Sequence, residues 1–143
     1  MNAIEELVLP YLKLTFRKDL NILIGRWVSA VTAEQLFEGY IHTLAFARDK
    51  KINLWLMDMR LRNVSTQAEK EWFLKFFIPK ASENSHTIHV AYMASPNQLA
   101  KFRELYHTDS PFYFSKQLVV NFFVKEQDAQ EWLNTCRQRL LLG

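Results

Sequence analysis

Apolar and polar residues alternate along residues 11–18: Leu12, Leu14 and Phe16 point one way, Lys13, Thr15 and Arg17 the other. A period of two describes a half-exposed strand. Asp19 marks a tight turn, and residues 20–28 form a second strand, so the two make an antiparallel hairpin. The period then changes. Thr32-Ala33-Glu34-Gln35 matches a capping box, and Leu36, Phe37, Tyr40, Ile41 and Leu44 follow at helical spacing as far as Lys50. Residues 52–59 are too apolar for a solvated strand and suit the middle of a parallel sheet. Thr66-Gln67-Ala68-Glu69 is a second capping box, opening a helix with Trp72, Phe73, Phe76 and Phe77 on its buried side, which Pro79 ends or kinks. Residues 87–94 are the next strand. Ser95-Pro96-Asn97-Gln98 combines an N-cap, a first-turn proline and a capping glutamine. Residues 108–116 read as irregular, residues 117–124 as the last strand, and residues 127–141 as a final helix carrying Ala129, Trp132, Leu133, Cys136 and Leu140.

The order β-β-α-β-α-β-α-β-α predicts a single α/β domain over residues 1–143. Its mostly parallel five-stranded sheet has the first strand antiparallel and right-handed helical crossovers between the others. Sorting strand residues by parity gives one almost purely apolar face (Ile22, Ile24, Leu54, Leu56, Val90, Val120) as the bed for the helices. The opposite face mixes Trp27, Trp55 and Met57 with Asn53, His89 and Asn121. Either helices cover this mixed face too, or it is a contact surface. The expectation taken here is a partly exposed face, partly covered by the amphipathic N-terminal segment (Ile4, Leu7, Val8), through which the chain forms a homodimer.

Composition narrows the chemistry. A chain of 143 residues, 49% hydrophobic, with 11 Phe, 5 Tyr and 4 Trp, builds a single core without disulfides or metals. Three glycines leave no phosphate-cradling loop. One cysteine, Cys136, excludes an internal disulfide and a multi-thiolate zinc site. The net charge of +3 is scattered, and basic clusters such as Arg48-Asp49-Lys50-Lys51 sit where helix ends are expected, so nucleic acid is not an expected partner. No run approaches about 18 consecutive apolar residues, the length of a membrane span. The start, with Glu5 and Glu6, is unlike a signal peptide. A cytoplasmic protein without cofactor or metal is expected.

Several motifs together resemble a known family: Val31-Thr32-Ala33-Glu34-Gln35-Leu36 with Gly39 after a hairpin, Leu56-Met57-Asp58-Met59-Arg60 ending the central strand, and Ala129-Gln130-Glu131-Trp132-Leu133 in the last helix. The chain resembles the SpoIIAA-like group related to STAS domains, the fold of anti-sigma-factor antagonists. The resemblance implies sequentially ordered strands and a function in binding a protein partner or small ligand instead of catalysis. In signalling STAS domains a serine near the start of the helix after the central strand accepts a phosphate. Ser65 and Thr66 stand at about that place here, without the family's Asp-Ser pair and glycine.

From the residues alone, added negative charge at that helix start would be met by Arg60 and Arg62, or Thr66 is simply an N-cap. Asp58, at the carboxyl end of a central strand, is either a base or ligand holder, or a loop clamp capping amides and pairing with Arg60. His86 and His89 are three apart on a strand and cannot jointly grip a metal. Phe112, Tyr113 and Phe114 form a loop cluster suited to a ligand lid or partner contact. The candidate site is therefore Asp58, Arg60, Arg62, Ser65, Thr66, Phe112 and Tyr113, with no catalytic residue. The expected function is protein–protein binding through the 58–66 loop, its arginines exposed. The alternative is a small-molecule or lipid-like ligand-binding protein, or a modest enzyme, with its pocket near Asp58 and the 112–114 loop.

Overall fold

The computed structural model describes residues 4–63, 66–83, 86–106 and 112–142, without the side chains of 4, 112–115 and 140–142. Among the described residues seven strands are present: β1 (Ile4–Val8), β2 (Leu12–Arg17), β3 (Ile22–Trp27), β4 (Leu54–Asp58), β5 (Ile88–Met93), β6 (Phe112–Ser115) and β7 (Leu118–Phe123). They form one mixed sheet in the order β1-β2-β3-β4-β5-β7-β6. β1, β2 and β3 are an antiparallel meander; β3, β4, β5 and β7 are parallel; β6 returns antiparallel to β7. The alternating α/β reading holds, and five expected strands become seven. The additions are the two edges: the N-terminal segment pairs with β2 instead of covering a face, and the stretch expected to be irregular contains β6.

The helices are α1 (Ala33–Lys50), α2 (Gln67–Trp72), α3 (Ile78–Ala81), α4 (Pro96–Tyr106) and α5 (Glu126–Leu142). Both bonds of the first capping box form: Thr32 Oγ1 accepts from Gln35 N–H at 3.2 Å, and Gln35 Oε1 accepts from Thr32 N–H at 3.0 Å. The Ser95–Gln98 pair caps α4 in the same reciprocal way. A π-helical stretch, Phe73–Phe77, joins α2 to α3 without a break. Its widened turn shows in Ile78 N–H bonding to Phe73 O. Pro79 follows directly: it has no N–H to donate, and its ring crowds the preceding turn, which the wider winding relieves. The proline thus reshapes the helix upstream instead of ending it.

Since β3, β4, β5 and β7 lie side by side in chain order, right-handed crossovers put every connecting helix on one face. There Leu36, Tyr40 and Leu44 of α1, Phe73, Phe77 and Ala81, and Phe102 of α4 pack on Leu23, Trp27, Trp55, Val90, Tyr92 and Val120. The other face is closed by α5, whose Ala129, Leu133 and Cys136 lie on Leu54, Leu56, Ala91 and Met93. This corrects the parity sorting. Parity is fixed within a strand, but hydrogen-bond register sets it between strands. Leu56 lies beside Ala91, an even position beside an odd one, so the expected apolar face splices the α5 side of β3 and β4 onto the crossover side of β5 and β7. The sheet face expected to be partly open is therefore covered over the parallel strands. Beyond them, β2 keeps the expected half-exposed alternation, with Leu12 and Leu14 buried and Lys13 exposed. No helix among the described residues is long and apolar enough to cross a membrane.

Candidate functional site

Asp58 ends β4, and its side chain is 10% exposed. Arg60 grips it with two bonds, Nε to Oδ1 and Nη2 to Oδ2, both 2.9 Å, and the Arg60 backbone N–H donates to Oδ1 at 3.1 Å. Arg26, beside Asp58 in the register, donates to Oδ2 at 2.9 Å and reaches Glu126 of α5 at 2.8 Å. Burial pushes the Asp58 carboxyl up, but the Arg60 guanidinium, the Arg60 amide and Arg26 outweigh it and hold the group below its usual range. Both carboxylate oxygens are taken. This is a clamp tying β3, β4 and α5, the second of the two roles the sequence left open.

Arg62 departs from expectation. It is 7% exposed, and its guanidinium lies 5.2 Å from the centre of the Trp27 ring. Its carbonyl accepts from Gln98 Nε2 of α4, which also bonds Met59 O, so the loop is pinned to the core. An extended loop surface presenting both arginines is thus absent: Arg60 is half-exposed at 45% and Arg62 faces inward. Thr66 Oγ1 caps α2 by accepting from Glu69 N–H at 3.2 Å. Ser65 lies outside the described residues, as do the side chains of Phe112 and Tyr113. The backbone of Phe112 and Tyr113 is strand, not loop, and β5 and β7 separate it from β4. His86 precedes β5 and His89 lies within it, against Trp132. Among the described residues no group of three His, Cys, Asp or Glu is placed to hold a metal.

Two features emerge that the pattern alone does not mark. At the carboxyl ends of the parallel strands, α1, α2 and α4 enclose a small pocket of about 30 Å³, lined by Tyr40, Arg62, Glu69, Trp72, Tyr92 and Tyr106 among others. The Tyr40 and Tyr92 hydroxyls bond each other at 3.0 Å. Glu69 is 9% exposed, and its Oε2 has no hydrogen-bond partner among the described residues. Burial pushes its carboxyl above the usual range, against the pull of Arg62 and of the Thr66 amide. Glu69 reads in sequence as a helix cap, and that reading hides its inward carboxyl.

The second feature is a groove of about 440 Å³ on the outer side, between α1 and the helix running into α3. Ile41, Leu44 and Arg48 form one wall; Trp72, Phe76 and Lys80 form the other. Ile41 is 61% and Phe76 62% exposed, although both belong to stripes expected to be buried. The Arg48 guanidinium bridges the walls by donating to Lys80 O. A sequence signal existed: five apolar positions on α1 make a stripe wider than one contact face requires.

No family, curated protein or solved structure matches the chain.

Proposed function

We propose that the chain is a non-enzymatic protein-binding domain of STAS-like kind, whose docking surface is the groove between α1 and α3, and whose partner supplies an acidic amphipathic helix. The observation carrying this reading is the pair Ile41 and Phe76, large apolar side chains more than half exposed on opposite walls of one concavity. An apolar helix face inserts its anchors into such a groove. The two charged residues lining it, Arg48 and Lys80, are both cations, which complement acids flanking the anchors. A second copy is a poorer occupant, because self-association through this surface brings like charges together. The sequential order of β1 to β5 supports the STAS-like assignment. A cytoplasmic location belongs to the same reading, supported by the single buried free thiol, Cys136.

The test is fluorescence anisotropy with a labelled helical peptide carrying leucines at helical spacing between glutamates, against the same peptide with lysines. The acidic peptide binds saturably and the basic one does not. Phe76→Glu abolishes binding while leaving the melting temperature nearly unchanged, as for exposed positions. Equal binding of both peptides, undiminished binding by Phe76→Glu, absence of saturable binding, or preferential sedimentation with phosphatidylserine vesicles would overturn the reading.

A further inference from the structure

The basic run at the end of α1 borders a further concavity, at the opposite end of the sheet from Asp58. It measures about 430 Å³ and opens at the amino ends of β4 and β5. Arg48 and Lys51 from the α1 terminus line it, together with Asn53 before β4 and His86 before β5. No carboxylate stands among its described lining residues. Neither Arg48 nor Lys51 forms an ion pair among the described residues, whereas the adjacent Lys50 is engaged by Glu5 and Asp49.

Lys51 stands where a helix end favours glycine. With φ 56° and ψ 46° it holds the left-handed conformation that closes α1, and its N–H donates to Ala47 O and Arg48 O. Ile52 N–H also returns to Ala47 O, at 2.9 Å. Main-chain bonds therefore close the helix without the lysine side chain. An exposed ammonium is kept at the rim of the concavity in a backbone conformation that glycine would adopt without strain.

These features select the ligand. A cleft lined by one sign of charge focuses its field and draws the opposite charge. Arg48 donates from Nη2 to Lys80 O, which leaves its Nε and Nη1 donors; the Lys51 ammonium, the His86 imidazole and the Asn53 amide add others. Donors converging from α1 and from the approaches to two strands suit the three oxygens and second charge of a phosphate better than the flat, singly charged carboxylate. Ile52 and Ile88, which also line the concavity, are 2% and 1% exposed, so they give a long aliphatic tail little to rest on. The volume lies in the range of small-molecule sites, about 300–1,000 Å³. The remaining charge is scattered and offers no stripe for a nucleic-acid backbone.

We infer that this concavity binds a small polar phosphate monoester, whose phosphate is held by Arg48 and Lys51 with His86 and Asn53 beside it. The site is separate from the outer groove, although Arg48 borders both; Lys51 is absent from the groove walls.

The experiment titrates the full chain with inorganic phosphate, glycerol 3-phosphate, glycerate and glycerol at constant ionic strength, following amide chemical shifts and binding heat. Both phosphates bind saturably and perturb the amides of residues 48–53 and 86–88. Glycerate binds about tenfold more weakly or worse, and glycerol does not bind. Lys51→Gly weakens phosphate binding about tenfold or more, the worth of one charge-assisted hydrogen bond, without lowering the melting temperature, and Lys51→Arg retains it. Equal affinity for glycerate and glycerol 3-phosphate, undiminished binding by Lys51→Gly, no saturable binding of either phosphate, or stronger binding to phosphatidic acid vesicles than to glycerol 3-phosphate would overturn the assignment. Phe76→Glu, which removes peptide docking at the groove, leaves phosphate binding unchanged, so the two sites fail or stand separately.

Discussion

Replacing Gly39 by Ala tests the closest helix-to-sheet contact. In an open helix this change gains about 1 kcal/mol, because alanine orders at lower entropic cost. At Gly39 the added Cβ would stand 2.4 Å from Cη2 and 2.9 Å from Cζ3 of Trp27, and 3.3 Å from Leu12 Cδ2. Ordinary contact begins at 3.4 Å, so the indole must retreat by about 1 Å. It has little room to do so. Trp27 is 1% exposed, stacked on Tyr11 with centroids 6.1 Å apart, and Arg62 lies on its ring. Overpacking costs typically about 1–3 kcal/mol, and a rigid ring hemmed in on several sides belongs in the upper part of that range. Subtracting the helical gain leaves a net loss of about 1–2 kcal/mol. For a chain of this size the melting temperature falls about 2–4 °C per kcal/mol. Urea unfolding followed by far-ultraviolet circular dichroism measures the change. An unchanged or raised midpoint in Gly39→Ala would refute the reasoning. In the same assay Trp27→Phe should recover part of the Gly39→Ala loss, because the two residues touch.

Arg62→Ala should lose about 2 kcal/mol through the desolvated cation–π contact and the packing of its stem, whereas Arg60→Ala, with a half-exposed side chain, should lose about 1 kcal/mol or less. Equal losses in thermal or urea melts would show that Arg62 is not held inside. Asp58→Asn should cost about 2 kcal/mol at neutral pH, a figure reduced because both arginines are partly screened by water. The lowered carboxyl pKa also sets the pH dependence. The stabilising contribution of Asp58 is complete above its unfolded value near pH 4 and is lost as the pH falls through the lower folded value. Acid titration below about pH 4 should therefore destabilise the native chain more than Asp58→Asn, and parallel acid curves would refute the clamp.

The crossover architecture was legible because each element carries its own period and its own cap: Thr32 with Gln35 and Ser95 with Gln98 form the bonds their spacing implies. The edges were not. β1 has two adjacent acids, Glu5 and Glu6, that spoil a clean alternation, and β6 is only four residues long. The faces failed for a different reason, since no residue encodes by itself whether Leu56 meets an even or an odd neighbour on β5. Asp58 with Arg60 was readable because the partners are two residues apart. Arg26 and Glu126 join them from distant parts of the chain and carry no local mark. Arg62 and Glu69 look like surface charges in sequence, and only the packing of α2 and α4 against the sheet turns them inward.

The one-directional winding also bears on biosynthesis. Each strand from β1 to β5 can settle beside its predecessor as it leaves the ribosome, with its helix closing behind it. The exception is α5, which reaches back to the beginning: Glu126 meets Arg26, and Arg137 donates to Leu20 O. Until the 17 residues of α5 dock, Leu54, Leu56, Ala91 and Met93 face water as a bare aliphatic plate. A chain in which α5 has not docked is thus more prone to aggregate, because closing that plate depends on one helix.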